Sequence, residues 1–236
     1  MIGAAKQEAG VASAAKLPLR VAASGFASSP AIVYRALTGG LPADALIDDD
    51  HAFDRHVLAS ILSAAMAEPG PINARCGLGA DDFVALVTSF FPHISVLLSV
   101  LASGEPDVDE EAAMVRDLLL AHRSTPGEVG RWLATMVARR AMEPDHLWED
   151  LGLRDRTELT RLLMRHFGPL ARDNTRNMRW KRFFYRKLCE DDGMVMCSAP
   201  VCSQCNDFAE CFGDESGESR MAGRRRALEL SAARVS

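Results

Sequence analysis

No stretch of this 236-residue sequence is apolar for long enough to span a bilayer. The longest largely apolar run, FFPHISVLLSVLA at 90–102, is short and is broken by Pro92 and His93. A secretory signal is also missing, because Lys6, Glu8, Lys16 and Arg20 interrupt the Ala-rich start before any apolar region develops. Alternating apolar and polar runs are absent, as are hairpin turns between β-branched segments, so no strand is expected. There is no phosphate loop, dinucleotide fingerprint or nucleophile triad. The acidic stretch GEPDVDEE at 104–111 lacks calcium-loop spacing. Positive charge is not in excess, with a formal net charge of -5 at pH 7, which argues against wholesale nucleic-acid binding. No internal repeat is visible. These absences leave a cytoplasmic, non-membrane, helical protein as the expectation.

What is present is concentrated near the C-terminal end. Four of the six cysteines, Cys197, Cys202, Cys205 and Cys211, fall within fifteen residues in a C-x4-C-x2-C-x5-C pattern. In a reducing compartment such a cluster favours a metal over disulfides. Thiolates are soft ligands that select zinc or iron–sulfur clusters, and the C-x2-C pair lets two sulfurs reach one centre. The spacing does not choose between the two metals. It matches neither a zinc ribbon nor the compact ferredoxin run. Cys189 could serve as a further sulfur or as an ordinary helix residue, and Cys76 reads as a small core or loop residue.

A basic segment leads into the cysteines. Residues 161–187 hold nine of the 27 basic side chains and only one acid, Asp173. If a helix runs from about Thr175 to Leu188, Arg176, Arg179, Arg182 and Arg186 share one of its sides, opposite Met178, Trp180, Phe183, Phe184 and Leu188. The plain reading is a solvated charged face. The functional one is an oxyanion site beside anionic thiolates, since guanidinium forks suit oxyanions. His166 lies among these arginines. It reads either as a transient metal or anion ligand or as a partner of a helix C-terminus. His51, His56, His93 and His122 look structural.

Helical periodicity covers most of the chain, so the fold class expected is all-α: a non-repeating bundle of roughly seven helices with a C-terminal cysteine-rich cluster-binding loop. The expected organisation is a flexible arm at 1–29, a helical domain at 30–192, the cysteine loop at 193–213 and a polar tail at 214–236. Ser29 and Pro30 open the first helix, and Asp48 to Asp50 cap a second that ends at Met66. Residues 72–79 form a loop. A helix over 81–91 precedes Pro92, and residues 93–102 form a buried helix. Another helix spans about 108–122. Thr125-Pro126-Gly127-Glu128 is a capping box with proline at the first helical position, and Asp155-x-x-Glu158 is a second box. HLWEDLGL at 146–153 is a compact turn, and Gly168-Pro169 stops the helix that holds His166.

The cysteine motif and its surroundings resemble the NifQ family. The resemblance is carried by Cys197, Cys202, Cys205 and Cys211, by NMRWKRFFYRKLC at 177–189, by CFG at 211–213, and by the blocks HLWEDLGL and RHFGPLARDN at 165–174. It runs from roughly residue 50 to 213. It implies an iron–sulfur protein that accepts molybdenum, as molybdate, and donates it to assembly of the nitrogenase iron–molybdenum cofactor. The four cysteines would hold a 3Fe-4S or 4Fe-4S cluster. The partners would be the nitrogenase reductase and the scaffold complex, and the protein would be a carrier rather than a turnover enzyme.

Two other readings start from the same residues. The cysteine loop is similar to that of endonuclease III-type DNA glycosylases, but the first gap differs and the glycine hairpin with its catalytic Lys and Asp is missing. The other reading is a structural zinc module for protein docking.

Overall fold

A computed structural model describes residues 29–107 and 109–191. The expected arm, except Ser29, the whole cysteine loop with Cys197, Cys202, Cys205 and Cys211, and the tail lie outside the described residues.

Among the described residues eleven α-helices follow one another: α1 (Pro30–Thr38), α2 (Asp50–Met66), α3 (Ile72–Arg75), α4 (Ala80–Phe90), α5 (Ser95–Leu101), α6 (Glu110–Ala121), α7 (Glu128–Ala141), α8 (Leu147–Asp150), α9 (Arg156–His166), α10 (Gly168–Asp173) and α11 (Trp180–Asp191). A 3-10 turn, Pro42–Asp44, lies between α1 and α2. Among the described residues there is no strand, and no helix is long and apolar enough to cross a membrane.

Short-range chemistry sets the helix starts. Asp49 accepts from the Ala52 N–H at 2.8 Å, Asp109 from Ala112 at 2.9 Å, and Asp155 from Thr157 and Glu158 at 2.7 and 3.1 Å. Each such cap is worth about 1 kcal/mol. Helix α1 ends at Gly39, whose φ of 85° is open to glycine and strained for other residues.

Packing is organised around α2. Phe53, Val57, Leu58, Ile61 and Leu62 are fully buried, and α1, α3 and α7 pack against this helix. Helix α7 sends Trp132, Leu133, Met136 and Val137 inward and pairs with α6. Helix α11 lies on α6, with Trp180, Phe183 and Phe184 buried in mutual ring contact.

Several expectations are corrected. Residues 95–101 are helical, but only Leu98 is buried; Val96, Leu97, Val100 and Leu101 are exposed. Thr125 does not cap α7. Gly127, at φ 78°, is the N-cap, and the Thr125 hydroxyl bonds His166 instead. Glu158 does not close a box with Asp155, because its carboxylate is drawn to His56 and Arg154. Residues 72–75 and 147–150 are short helices rather than loop and turn. Gly168-Pro169 ends α9 but also opens α10, as proline at a helix start permits.

Candidate functional site

Helix α11 begins at Trp180, five residues later than the sequence pattern suggests. The reason lies in Asn174. Its amide clamps Met178 from both sides, accepting from the Met178 N–H at 2.8 Å and donating to the Met178 carbonyl at 2.8 Å. Asn177 takes a left-handed φ of 55°, and Arg156 holds its carbonyl and side chain at 3.1 and 3.0 Å. The segment 174–179 is therefore a built turn. Arg176 and Arg179 sit on it, while Arg182 and Arg186 sit on the helix, so the four do not form one helical row. Nothing in the residue pattern announced the Asn174 clamp beyond an asparagine just after a helix end.

The turn and helix enclose a hollow of about 350 Å3 lined by Asp173, Asn174, Arg176, Met178, Arg186, Lys187 and Glu190, among others. Arg176, Arg186 and Lys187 are its cations. Asp173 and Glu190 face them: Arg186 Nε donates to Glu190 at 2.7 Å, and Lys187 Nζ to Asp173 at 3.3 Å. Arg179 and Arg182 do not line this hollow. Cys189 is a free, half-buried thiol on the same helix.

Three other members of the basic segment, Lys181, Arg161 and Arg165, are committed to the fold. Lys181 Nζ donates to Asp150 at 2.5 Å and also to the Glu143 carbonyl, which fastens α11 to the α7–α8 corner. Burial pushes the Asp150 carboxyl above its ordinary range, more than the neighbouring ammonium pulls it down. Arg161 covers the Phe53 ring at 4.0 Å and donates to the Ile47 carbonyl. Arg165 binds Asp54 through two nitrogens, both at 2.9 Å, and reaches Asp50 as well.

His166 is buried and both ring nitrogens are engaged: Nε2 with Asp54 at 2.9 Å and Nδ1 with Thr125 at 2.8 Å. Burial would raise the Asp54 carboxyl, but hydrogen bonds from His166 and Arg165 outweigh it and hold the group below the usual carboxylate range. A parallel arrangement lies two residues along α2. His56 is bonded to the Tyr34 hydroxyl at 2.6 Å and to Glu158 at 3.2 Å. Glu158 too is pushed up by burial, yet kept low by His56 and Arg154. These two seams fix α9 on α2 and leave His166 no open coordination position. His51, His93 and His122 are structural as well. His93 donates to the Ala36 carbonyl, His122 to the Leu118 carbonyl, and His51 stacks on Phe90.

Among the described residues no group of three or more His, Cys, Asp or Glu could hold a metal ion. Cys76 is fully buried and its thiol is pushed up to about 12 by burial, so it is no thiolate ligand. The donor set with the chemistry of a metal cluster is the group of four cysteines that begins six residues beyond the end of α11.

Comparison with known proteins adds the family. The family model described as NifQ matches residues 57–213, a span that contains all four clustered cysteines. The chain is 42% identical over 174 residues to the Protein NifQ homolog of Sinorhizobium fredii, covering 71% of this chain and 75% of that one. It is 40% identical over 159 residues to Protein NifQ of Rhodobacter capsulatus, covering 67% and 87%. To Protein NifQ of Azotobacter vinelandii it is 40% identical over 151 residues, covering 59% and 77%. No solved structure matches the chain. On the family match and these relatives, the chain belongs to the NifQ family.

Proposed function

We propose that this chain is a molybdenum carrier for nitrogenase cofactor assembly. Cys197, Cys202, Cys205 and Cys211 are the ligands of an iron–sulfur cluster, of three-iron or four-iron type. Such a cluster, when bound, supplies a soft, sulfide-rich environment for the incoming metal. The cargo arrives as molybdate. Arg176 and Arg186, with Lys187 beside them, draw the oxyanion to the hollow at the root of the cysteine segment by charge-assisted hydrogen bonds. Asp173 and Glu190 keep those cations from holding it irreversibly. Arg179 and Arg182 add to the positive field on the approach. Cys189 is a reserve sulfur between hollow and loop. The recipients are the nitrogenase reductase and the scaffold complex on which the cofactor is finished, and the protein acts as donor rather than turnover enzyme. Nucleic acid and membrane have no part in it.

The observation that carries this reading is that all four cysteines fall inside the NifQ-matched span. Anaerobic purification followed by iron, acid-labile sulfide and molybdenum analysis tests it, with electron paramagnetic resonance before and after molybdate. Iron with sulfide, and a spectrum altered by molybdate under reducing conditions, is expected. Zinc without sulfide overturns it. An Arg176→Ala, Arg186→Ala double variant should retain its iron and lose about tenfold in molybdenum uptake, the order expected for about 1.4 kcal/mol of lost oxyanion binding.

A further inference from the structure

Residues 83–104 contain no Asp, Glu, Lys or Arg, in a chain whose charged residues make up 25%. This segment is most of α4, the turn at Pro92, all of α5 and the residues up to Gly104. One side of it builds core through Phe83, Leu86, Val87, Phe91 and Leu98. The other side is apolar and open. Val96 is 79% exposed, Val100 78%, Leu97 61% and Leu101 42%. Their spacing of one and four residues places them on one strip of α5. Val84 on α4 is exposed too. Together these side chains present on the order of 500 Å2, as large as the largest apolar patch of an ordinary monomer.

Three serine hydroxyls on the segment are already satisfied. Ser99 donates to the Ser95 carbonyl at 2.8 Å, Ser95 to Pro92 at 3.1 Å, and Ser89 to Ala85 at 2.8 Å. Covering this face therefore strands none of these three serine protons, which is the usual penalty for burying serine.

The charge pattern selects the occupant. Asp81 and Asp82 precede the run and Glu105 and Asp107 follow it, with no lysine or arginine inside it, so an anionic lipid surface is repelled. In a two-fold pair each residue meets the same surface on the other copy, and a charge near the axis would face its own kind. A run without charge is what such a self-match requires. We propose that this face of α4 and α5 is the contact of a reversible homodimer. A pair would bury roughly 1,000 Å2, at the lower edge of specific interfaces, so the dimer is weak and concentration-dependent. The inference does not depend on the carrier reading.

Sedimentation velocity of the full chain under reducing conditions, from about 1 to about 100 μM, tests it. A reversible monomer–dimer equilibrium in that range is expected, and high salt should not dissolve it, because its drive is apolar. Val96→Asp with Val100→Asp should abolish the dimer while circular dichroism stays unchanged. Met164→Asp, at an exposed apolar residue of α9, should leave it intact. A monomer at every concentration overturns the proposal, as does a dimer that survives the double substitution. Flotation of a solution monomer with phosphatidylcholine vesicles, lost in the double variant, would assign the face to lipid and also overturn it.

Discussion

Asp54→Ala is the sharpest test of how this fold is held. The carboxylate is buried, and it binds the Arg165 guanidinium at two points and the His166 ring at a third. Removing one partner of a buried pair costs about 3–5 kcal/mol, chiefly because the other partner is left uncompensated. Here Arg165 is partly exposed and keeps Asp50, whereas the buried His166 Nε2 keeps nothing in exchange. The lower end, about 3 kcal/mol, is therefore expected. Asp54→Asn retains one acceptor for His166 and should cost about 1–2 kcal/mol. In urea, with a slope of about 2–3 kcal/mol per molar, Asp54→Ala lowers the midpoint by about 1–1.5 M. The pH dependence has a fixed sign. The Asp54 pKa is depressed in the folded state, so its contribution is complete above the unfolded value of about 4 and disappears as pH falls through the folded value. The facing groups are Asp50, Arg165, His166 and Thr125. The gap between wild type and Asp54→Ala should stay constant from neutral pH down to about 5 and close below about 4. Urea unfolding followed by helical circular dichroism across that range measures it. A cost under about 1 kcal/mol, or a gap that widens on acidification, refutes the account.

Two further outcomes are expected. Gly152 has a φ of +69°, and a Cβ there would lie 2.7 Å from the Ser60 backbone carbonyl oxygen, so Gly152→Ala should cost about 2–4 kcal/mol and lower the melting temperature by about 5–12 °C; a change below about 1 kcal/mol would mean that α2 and α8 give way easily. Cys76, buried and with its thiol pushed up to about 12, should resist iodoacetamide in the folded protein while Cys189 is alkylated; mass spectrometry of the digested, labelled chain reads this, and equal labelling would contradict the burial.

Much of the helical order was legible because its signals are local. Asp49, Asp109 and Asp155 each announce a helix start within three residues, and Gly39 an end. What was not legible depends on distant partners. Thr125 has the sequence of a cap, yet its hydroxyl belongs to His166, forty-one residues on. The run 93–102 looks like core by composition, but hydrophobicity does not say which side of a short helix finds a neighbour. The row of four arginines assumed one unbroken helix, and the Asn174 clamp broke it. Lys181 and Arg165 count among the nine basic side chains of the segment, but Asp150 and Asp54, from other helices, are brought against them. The pattern shows which side chains are cationic; only the folded chain shows which of them are already spoken for.

The fastening of α11 has a consequence for how the chain is made. Asp150 is laid down thirty-one residues before its ammonium partner, and Asp54 more than a hundred before its guanidinium. A chain emerging from the ribosome holds Asp54 without its guanidinium, and Asp150 with only Arg140 nearby, until α9 and α11 follow. An N-terminal fragment that stops short of Trp180 lacks the ammonium that binds Asp150 directly at the α7–α8 corner. The body thus leans on its last helix, and a body cut off before Trp180 should be less stable than the full chain.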